Sequence, residues 1–354
     1  MKAKKATAAY EEFLRANLPV IEADLELKHK QMSAGLFPFL RSTFYRWAEL
    51  FREVCPDLAK TPQVLAVGDL HVENFGTWRD VEGRLIWGIN DFDEAQAMPY
   101  AIDLVRLAAS ALLAAQEAKI VLAADQACAS ILEGYREWLE KSGRPYVLEE
   151  EHGWLRVLAT GALRDPVAFA AKMDKLKTAE PPKPVTDLLS THLPKGSQVK
   201  RFAARTAGLG SLGRPRYVAL AELAGGQVVR EAKATLPSAW NWSLGDPAAP
   251  LRCREIAVNA VRCADPCLEF EKGWAIRRLA PHCSRIELTE LPHRTDDLRL
   301  LRAMGRETAN IHLGSKDAVA AVKADLAKRP VKWLFDAATA MAEATKADWK
   351  EWQA

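Results

Sequence analysis

The sequence predicts an α+β protein with two lobes, a larger helical one and a smaller one built on antiparallel strands. Three observations predict this fold class. Apolar residues recur at helical spacing through much of residues 7–175, prolines cluster at 180–197, and strand-like runs separated by glycines follow. We therefore assign residues 1–195 to a large lobe, 196–285 to a small lobe, and 286–354 to helices that return to the large lobe.

The first half of the chain is expected to be helical except for one pair of strands. Helical spacing covers residues 7–51, 100–118 and onward to about 140, and 155–175, with an early interruption around Pro38. Two short apolar runs, at 64–67 and 84–89, predict a hairpin with a polar connection.

The second half alternates strands and helices. Runs of β-formers between glycine turns predict strands at 198–206, 216–223, 227–234 and 274–279. Helical spacing predicts helices at 251–262, 296–313 and 318–349, the last with a break at Pro330.

Charge and composition exclude several classes of function. The chain has 354 residues, with 49 Lys and Arg against 46 Asp and Glu, and a net charge of +3 is too small to predict a nucleic-acid partner. The most apolar stretch, residues 107–116, is too short to span a membrane, and no secretory signal is found. Six scattered cysteines favour reduced thiols and a cytoplasmic location, and the spacing around Cys263 and Cys267 does not match a zinc knuckle.

One polar segment carries residues suited to phosphoryl transfer. That reaction needs a carboxylate to orient the acceptor hydroxyl and oxygen ligands that hold Mg²⁺ on the phosphates. Asp69, in a Gly-Asp-Leu-His segment, is the candidate catalytic residue, and Asn74 and Asp91 are the candidate magnesium ligands. The Asp-x-x-x-x-Asn spacing is that of a kinase catalytic loop. The alternative is that these residues only form turns between strands.

A glycine-rich segment gives a second, independent indication. Residues 208–213 read Gly-Leu-Gly-Ser-Leu-Gly and are followed by Arg-Pro and a strand-like run, whereas a dinucleotide-binding turn must open a helix. The candidate nucleotide-binding residues are Gly208, Gly210, Ser211, Gly213, Lys233 and Glu255. Lys233 would contact the phosphates of ATP, and Glu255, on the next helix, would orient Lys233. Arg230 is a rival cation that strand alternation does not exclude.

Together with residues 99–106, the first motif resembles the aminoglycoside-phosphotransferase and protein-kinase-like superfamily. Its small-molecule members carry Gly-Asp-x-His-x-x-Asn followed by Ile-Asp-Phe-Asp, and the resemblance implies a structural role for Asp103. Here Gly208 follows Asp69 by 139 residues, the reverse of the kinase order. The resemblance therefore implies a circularly permuted kinase-like fold, with residues 301–312 similar to the helix that precedes the catalytic loop.

With the catalytic segment placed before the glycine-rich segment, most of residues 30–312 resembles a bacterial family, domain of unknown function 2252. The resemblance rests on residues 37–41 after Met32, 68–76, 90–94 and 208–213. The family name implies the fold and carries no reaction with it. Its more usual Lys-Glu-Ala appears here as residues 230–234, Arg-Glu-Ala-Lys-Ala, so the identity of the phosphate-binding cation stays open.

The expected function is ATP- and Mg²⁺-dependent phosphotransfer to a hydroxyl group. Asp103 follows Asp91 by only 12 positions, which leaves no room for a long activation loop and favours a small-molecule acceptor. His71 is expected to shape the loop, whereas Arg41 would bind either an anionic group or an acidic neighbour.

Three other functions stay open at this stage. The alternatives are a nucleotide-binding pseudokinase or interaction module, nucleotidyl transfer to a protein, and a metallophosphoesterase. The last lacks the later Gly-Asp-x-x-Asp and Gly-Asn-His motifs that such an enzyme needs. The oligomeric state is not predicted.

Overall fold

The structure is a computed structural model that describes residues 2–149, 152–161, 165–283 and 294–354. The α-helices are α1 (Ala3–Asn17), α2 (Glu22–Ala34), α3 (Leu36–Ser42), α4 (Phe44–Val54), α5 (Ala101–Glu117), α6 (Ala124–Glu140), α7 (Gly153–Gly161), α8 (Pro166–Asp174), α9 (Lys183–Thr191), α10 (Ala239–Ser243), α11 (Cys253–Asn259), α12 (Arg294–His312), α13 (Val319–Lys328) and α14 (Trp333–Gln353).

The strands form three antiparallel sheets. They are β1 (Gln63–Ala66), β2 (Phe75–Arg79), β3 (Leu85–Ile89), β4 (Gln96–Pro99), β5 (Tyr146–Val147), β6 (Gln198–Ala204), β7 (Arg216–Leu223), β8 (Gly226–Ala234), β9 (Glu269–Glu271) and β10 (Trp274–Leu279). The sheet orders are β1-β4, β2-β3-β5 and β6-β7-β8-β10-β9. The fold is therefore α+β, as predicted.

Helix α5 forms the centre of the larger, helical part. Its sequence is rich in Ala and Leu, and nearly all of its side chains are buried, as expected for a helix surrounded on every side. Helices α6 and α12 cross closely because both carry a glycine at the contact. A Cβ atom on Gly134 or Gly305 would lie 2.0 Å from a backbone oxygen of the other helix.

The five-stranded sheet has a helix on each face. Val185 and Leu189 of α9 pack with Ala219 and Ala232 on one face. On the other, α8 packs against an apolar set that includes Leu220. Both helices lie in the range that the sequence assigned to the large lobe, yet their apolar residues pack on the small sheet.

The predicted hairpin between 64–67 and 84–89 is wrong. Strand β1 pairs with β4, and β3 pairs with β2, which the sequence analysis did not recognise as a strand. The turn between β2 and β3 explains the difference. Asp80 accepts hydrogen bonds from the backbone N–H groups of Glu82 and Arg84, and Gly83 has a φ of +78°.

No helix in the described ranges is long and apolar enough to cross a membrane.

Candidate active site

A small cavity lies between the glycine-rich segment and the segment that carries Asp69. Its volume is about 50 Å³, and its walls come from α1, α3, α4 and the loops of both motifs. Six of the residues predicted from the sequence line it: Asp69, Asn74, Asp91, Gly208, Gly210 and Ser211. The fold thus brings together two motifs that are far apart along the chain.

The backbone before Asp69 is fixed by a buried carboxylate. Asp103, at the start of α5, accepts hydrogen bonds from the N–H groups of Val67 and Gly68, each at 2.7 Å. His312 Nε2, at the end of α12, lies 3.0 Å from the same carboxylate. Gly68 has a φ of +83°, and a Cβ there would lie 2.8 Å from a side-chain atom of Met98, so glycine is required. Asp103 therefore holds the loop in place without lining the cavity.

The Asp69 carboxylate is held through one of its two oxygens. Arg106 donates to Oδ1 from Nε at 2.9 Å and from Nη2 at 2.5 Å. The Arg106 side chain is fully buried and stacks on Trp47, with its carbon Cζ 4.9 Å from the ring centroid. A Cβ placed on Gly210 would lie 3.5 Å from Oδ2, so that oxygen faces the glycine-rich segment. Burial raises the pKa of Asp69, and Arg106 opposes the rise.

A short 3₁₀ turn, Val72–Asn74, presents the next candidate. The Nδ1 atom of His71 accepts from the N–H of Glu73, and Asn74 Oδ1 accepts from the N–H of His71 at 3.1 Å. These reciprocal bonds form a capping box that fixes the turn. His71 shapes the loop in this way. Arg41 forms an ion pair with Glu73 at 2.7 Å, which is one of its two expected roles.

Lys233 reaches the second acidic segment from strand β8. Its Nζ atom lies 3.2 Å from Asp91 Oδ1 and 2.5 Å from Asp93 Oδ2. Burial acts to raise the pKa of Asp91, but the charges of Lys233, Arg277 and Arg216 outweigh it and lower that pKa. Sequence reasoning did not single out Asp93. Asp93 lies two residues after Asp91, in a turn closed by the hydrogen bond from the N–H of Ala95 to the Phe92 carbonyl, and this Asp-x-Asp spacing was the available signal.

The glycine-rich segment is anchored to helix α2. Lys28 Nζ donates to the Gly210 carbonyl at 3.2 Å, and the N–H of Ile21 donates to the Gly213 carbonyl at 2.9 Å. Gly213 has a φ of +94°, and a Cβ there would lie 2.5 Å from Leu25, so it fits only as glycine and does not line the cavity. Burial lowers the pKa of Lys28 to about 8. No sequence motif pointed to Lys28, because its role depends on tertiary contact.

The structure separates Lys233 from the two other residues proposed beside it. Arg230 points to the opposite face of β8, where its Nε donates to the His192 carbonyl at 3.0 Å. Glu255 does not orient Lys233. Its carboxylate accepts a hydrogen bond from Arg252 at 2.6 Å, and both residues line a different groove. The aspartates of the 91–94 segment take the place expected for Glu255.

Comparison with known proteins identifies the family. Residues 20–160 and 184–354 match the family described as "Uncharacterized protein conserved in bacteria (DUF2252)". No curated protein and no solved structure matches the chain. Because the match covers most of the chain, the resemblance noted from the motifs is confirmed, and the protein belongs to the DUF2252 family.

Proposed function

We propose that this protein is a phosphotransferase with a circularly permuted, kinase-like fold, which transfers the γ-phosphate of ATP to the hydroxyl group of a small molecule. One observation carries the proposal. The same small cavity is lined by residues of both motifs: Asp69, Asn74 and Asp91 of the first, and Gly208, Gly210 and Ser211 of the second. These motifs are far apart in the chain, since Gly208 follows Asp69 by 139 positions.

The order of the small sheet supports a kinase-like lobe. In protein kinases a glycine-rich loop covers the phosphates and the phosphate-binding lysine lies on the third strand. Here residues 208–213 connect β6 to β7, and Lys233 lies on β8, the third strand of the lobe. The segment after Asp91 leads directly into β4 and α5, which favours a small acceptor over a protein one.

The residues around the cavity suit a magnesium-bound phosphate chain. Asn74 and Asp91 line the cavity and offer the oxygen ligands that Mg²⁺ prefers. Lys233 does not line the cavity itself, but it contacts Asp91, and together with the glycine-rich segment it would hold the phosphates. Arg41 Nε is buried at the cavity without a hydrogen-bond partner among the described residues. Although Arg41 pairs with Glu73 through Nη1, its unused Nε–H fits an anionic ligand. ATP, when bound, would supply the phosphoryl group.

Asp69 would act on the acceptor. Arg106 neutralises Oδ1 and fixes the carboxylate, so Oδ2 is the oxygen that would orient the acceptor hydroxyl and receive its proton. The raised pKa of Asp69 makes it a better proton acceptor than an exposed aspartate. Arg106 is thus a positioning residue, since it acts through Asp69.

The cavity volume favours a second candidate, an interaction module that does not transfer phosphate. About 50 Å³ holds a few water molecules, whereas ligand pockets usually measure about 300–1,000 Å³. Phosphotransfer therefore requires the glycine-rich segment to move away from Asp69 when a nucleotide binds. A module without nucleotide would keep this segment in place.

The test compares Asp69→Asn with a matched control. Asparagine keeps an oxygen for buried Arg106, whereas alanine would leave that charge unpaired. We expect Asp69→Asn to keep its nucleotide affinity and to lose about a hundredfold or more of phosphate transfer, or of slow ATP hydrolysis, measured with γ-labelled ATP.

The control is Asp80→Asn. Asp80 is also buried and paired with an arginine, Arg84, but it does not line the cavity, so its variant should retain turnover. Full turnover in Asp69→Asn would contradict the proposal. Nucleotide binding without turnover in the unmodified protein, with a cell extract as acceptor pool, would favour the interaction module.

A further inference from the structure

The face of the small sheet that carries Lys233 has one charged end and one apolar end. Strand register places three cross-strand rows on this face: Arg205, Arg216, Lys233 and Ala275; then Ala203, Val218, Glu231 and Arg277; then Arg201, Leu220, Val229 and Leu279. The first row adjoins the glycine-rich segment. Charged side chains therefore gather at the end of the face where the phosphates of the proposed donor would lie.

Three arginines at this end surround one carboxylate. Arg205, Arg216 and Arg277 all contact Glu231, which is fully buried; the Arg216 and Arg277 contacts measure 2.9 and 2.8 Å. Arg216 also donates to the Ser211 hydroxyl of the glycine-rich segment at 2.7 Å. With Lys233, which pairs with Asp91 and Asp93, the group carries four positive charges against three negative ones, the third from Glu231. The side chains of Arg277 and Arg205 are 27% and 15% exposed, so both retain donors for a ligand.

The apolar end of the same face is closed. Phe169 and Met173 of α8 pack against Val218, Leu220 and Val229, and they are only 6% and 1% exposed. Arg201 fixes the end of α8, because its guanidinium donates to the backbone carbonyls of residues 173, 174 and 176 at 2.7–3.1 Å. A purine base needs an apolar slot beside the phosphates. On this face α8 already fills that slot.

We propose that the site recognises its donor by the phosphate chain and not by the base, with Arg277 and Arg205 as phosphate ligands beside Lys233. The inference rests on the proposed function and names the ligand class more narrowly, as triphosphates irrespective of the nucleoside. Arginine suits this role because its planar guanidinium binds phosphate oxygens in pairs. Glu231 holds the three guanidinium groups in place before the ligand arrives.

The test measures the affinities of three magnesium complexes by calorimetry: ATP, GTP and inorganic tripolyphosphate. We expect the three dissociation constants to agree within about threefold, because the base adds few contacts. Arg277→Gln should weaken all three by about tenfold or more, as loss of one charge-assisted contact does. Arg278→Gln is the matched control, since Arg278 is adjacent in sequence but binds Cys267 on the opposite face, and it should change none of them.

The outcomes separate this inference from the proposed function. ATP binding about thirtyfold tighter than tripolyphosphate would overturn the inference and leave the phosphotransferase intact. No binding of any triphosphate would overturn both. Unchanged affinities in Arg277→Gln would remove Arg277 from the site. The comparison of the three ligands uses the unmodified protein, and Arg205→Gln serves as a second variant, so a folding defect in Arg277→Gln does not block the test.

Discussion

The protein is expected to lose stability as the pH rises from 5 to 8, and the substitution Glu307→Gln should make this loss smaller. Glu307 lies on α12 with its side chain buried beside β3, where its carboxylate accepts from Asn310 Nδ2 at 2.8 Å and from the N–H of Ile89 at 3.3 Å. Burial raises its pKa from 4.5 to about 7, although Asn310 and Arg262 pull it down. The folded protein therefore keeps this proton to a higher pH than the unfolded chain does.

The sign and size follow from that difference. The stabilisation from protonated Glu307 is complete below about pH 4.5 and is lost as the pH rises toward 7. Integrating between pH 5 and pH 8 gives a loss of about 2.5 kcal/mol in the free energy of unfolding from this group alone. Glutamine cannot ionise, so the variant lacks this part of the loss. Burial also raises the pKa of Glu94 to about 7. The Glu307→Gln variant still contains Glu94, so it keeps the part of the stability loss that Glu94 causes.

Urea denaturation of both proteins at pH 5 and pH 8 measures the effect. Comparing the change between the two pH values cancels any constant cost of the substitution, such as a weakened contact with Asn310. We expect the variant to lose about 2.5 kcal/mol less than the unmodified protein over this interval. An equal loss in both proteins would refute the account of Glu307.

Two further substitutions test the loops that form the cavity. Asp103→Asn should lower the free energy of unfolding, measured by urea denaturation, by about 3 kcal/mol or more. The reason is that the asparagine NH₂ group would face a backbone N–H that the buried carboxylate now accepts from. Unchanged stability would contradict the anchoring role of Asp103. Gly213→Ala should lower the free energy of unfolding by about 1–3 kcal/mol more than Gly225→Ala does, since both glycines have positive φ but only Gly213 packs against Leu25. Equal losses in the two variants would show that the contact with α2 is unimportant.

The sequence predicted the small sheet well because its signals are local. The bounds of β7 and β10 agree with the predicted runs at 216–223 and 274–279, where glycines and polar turns mark both ends. Helices α5, α12 and α14 were recognised for a similar reason, since each keeps its apolar spacing over four or more turns.

Elements and contacts that depend on tertiary structure were not predictable in this way. Strand β4 is four residues long and is defined by pairing with β1. Helix α9 lies within the cluster of prolines at 180–197 that indicated a connector. The partner of Lys233 was sought on a helix, yet the fold supplies Asp91 and Asp93. Residue type alone cannot tell which nearby carboxylate a buried lysine meets.

The central claim is that Asn74 and Asp91 hold Mg²⁺ on a bound triphosphate, and its most direct test is the affinity for ATP with and without Mg²⁺. We predict that Mg²⁺ strengthens binding to the unmodified protein, and that Asp91→Asn abolishes this increment while circular dichroism shows an intact fold. Equal ATP affinity with and without Mg²⁺ in the unmodified protein would contradict the account.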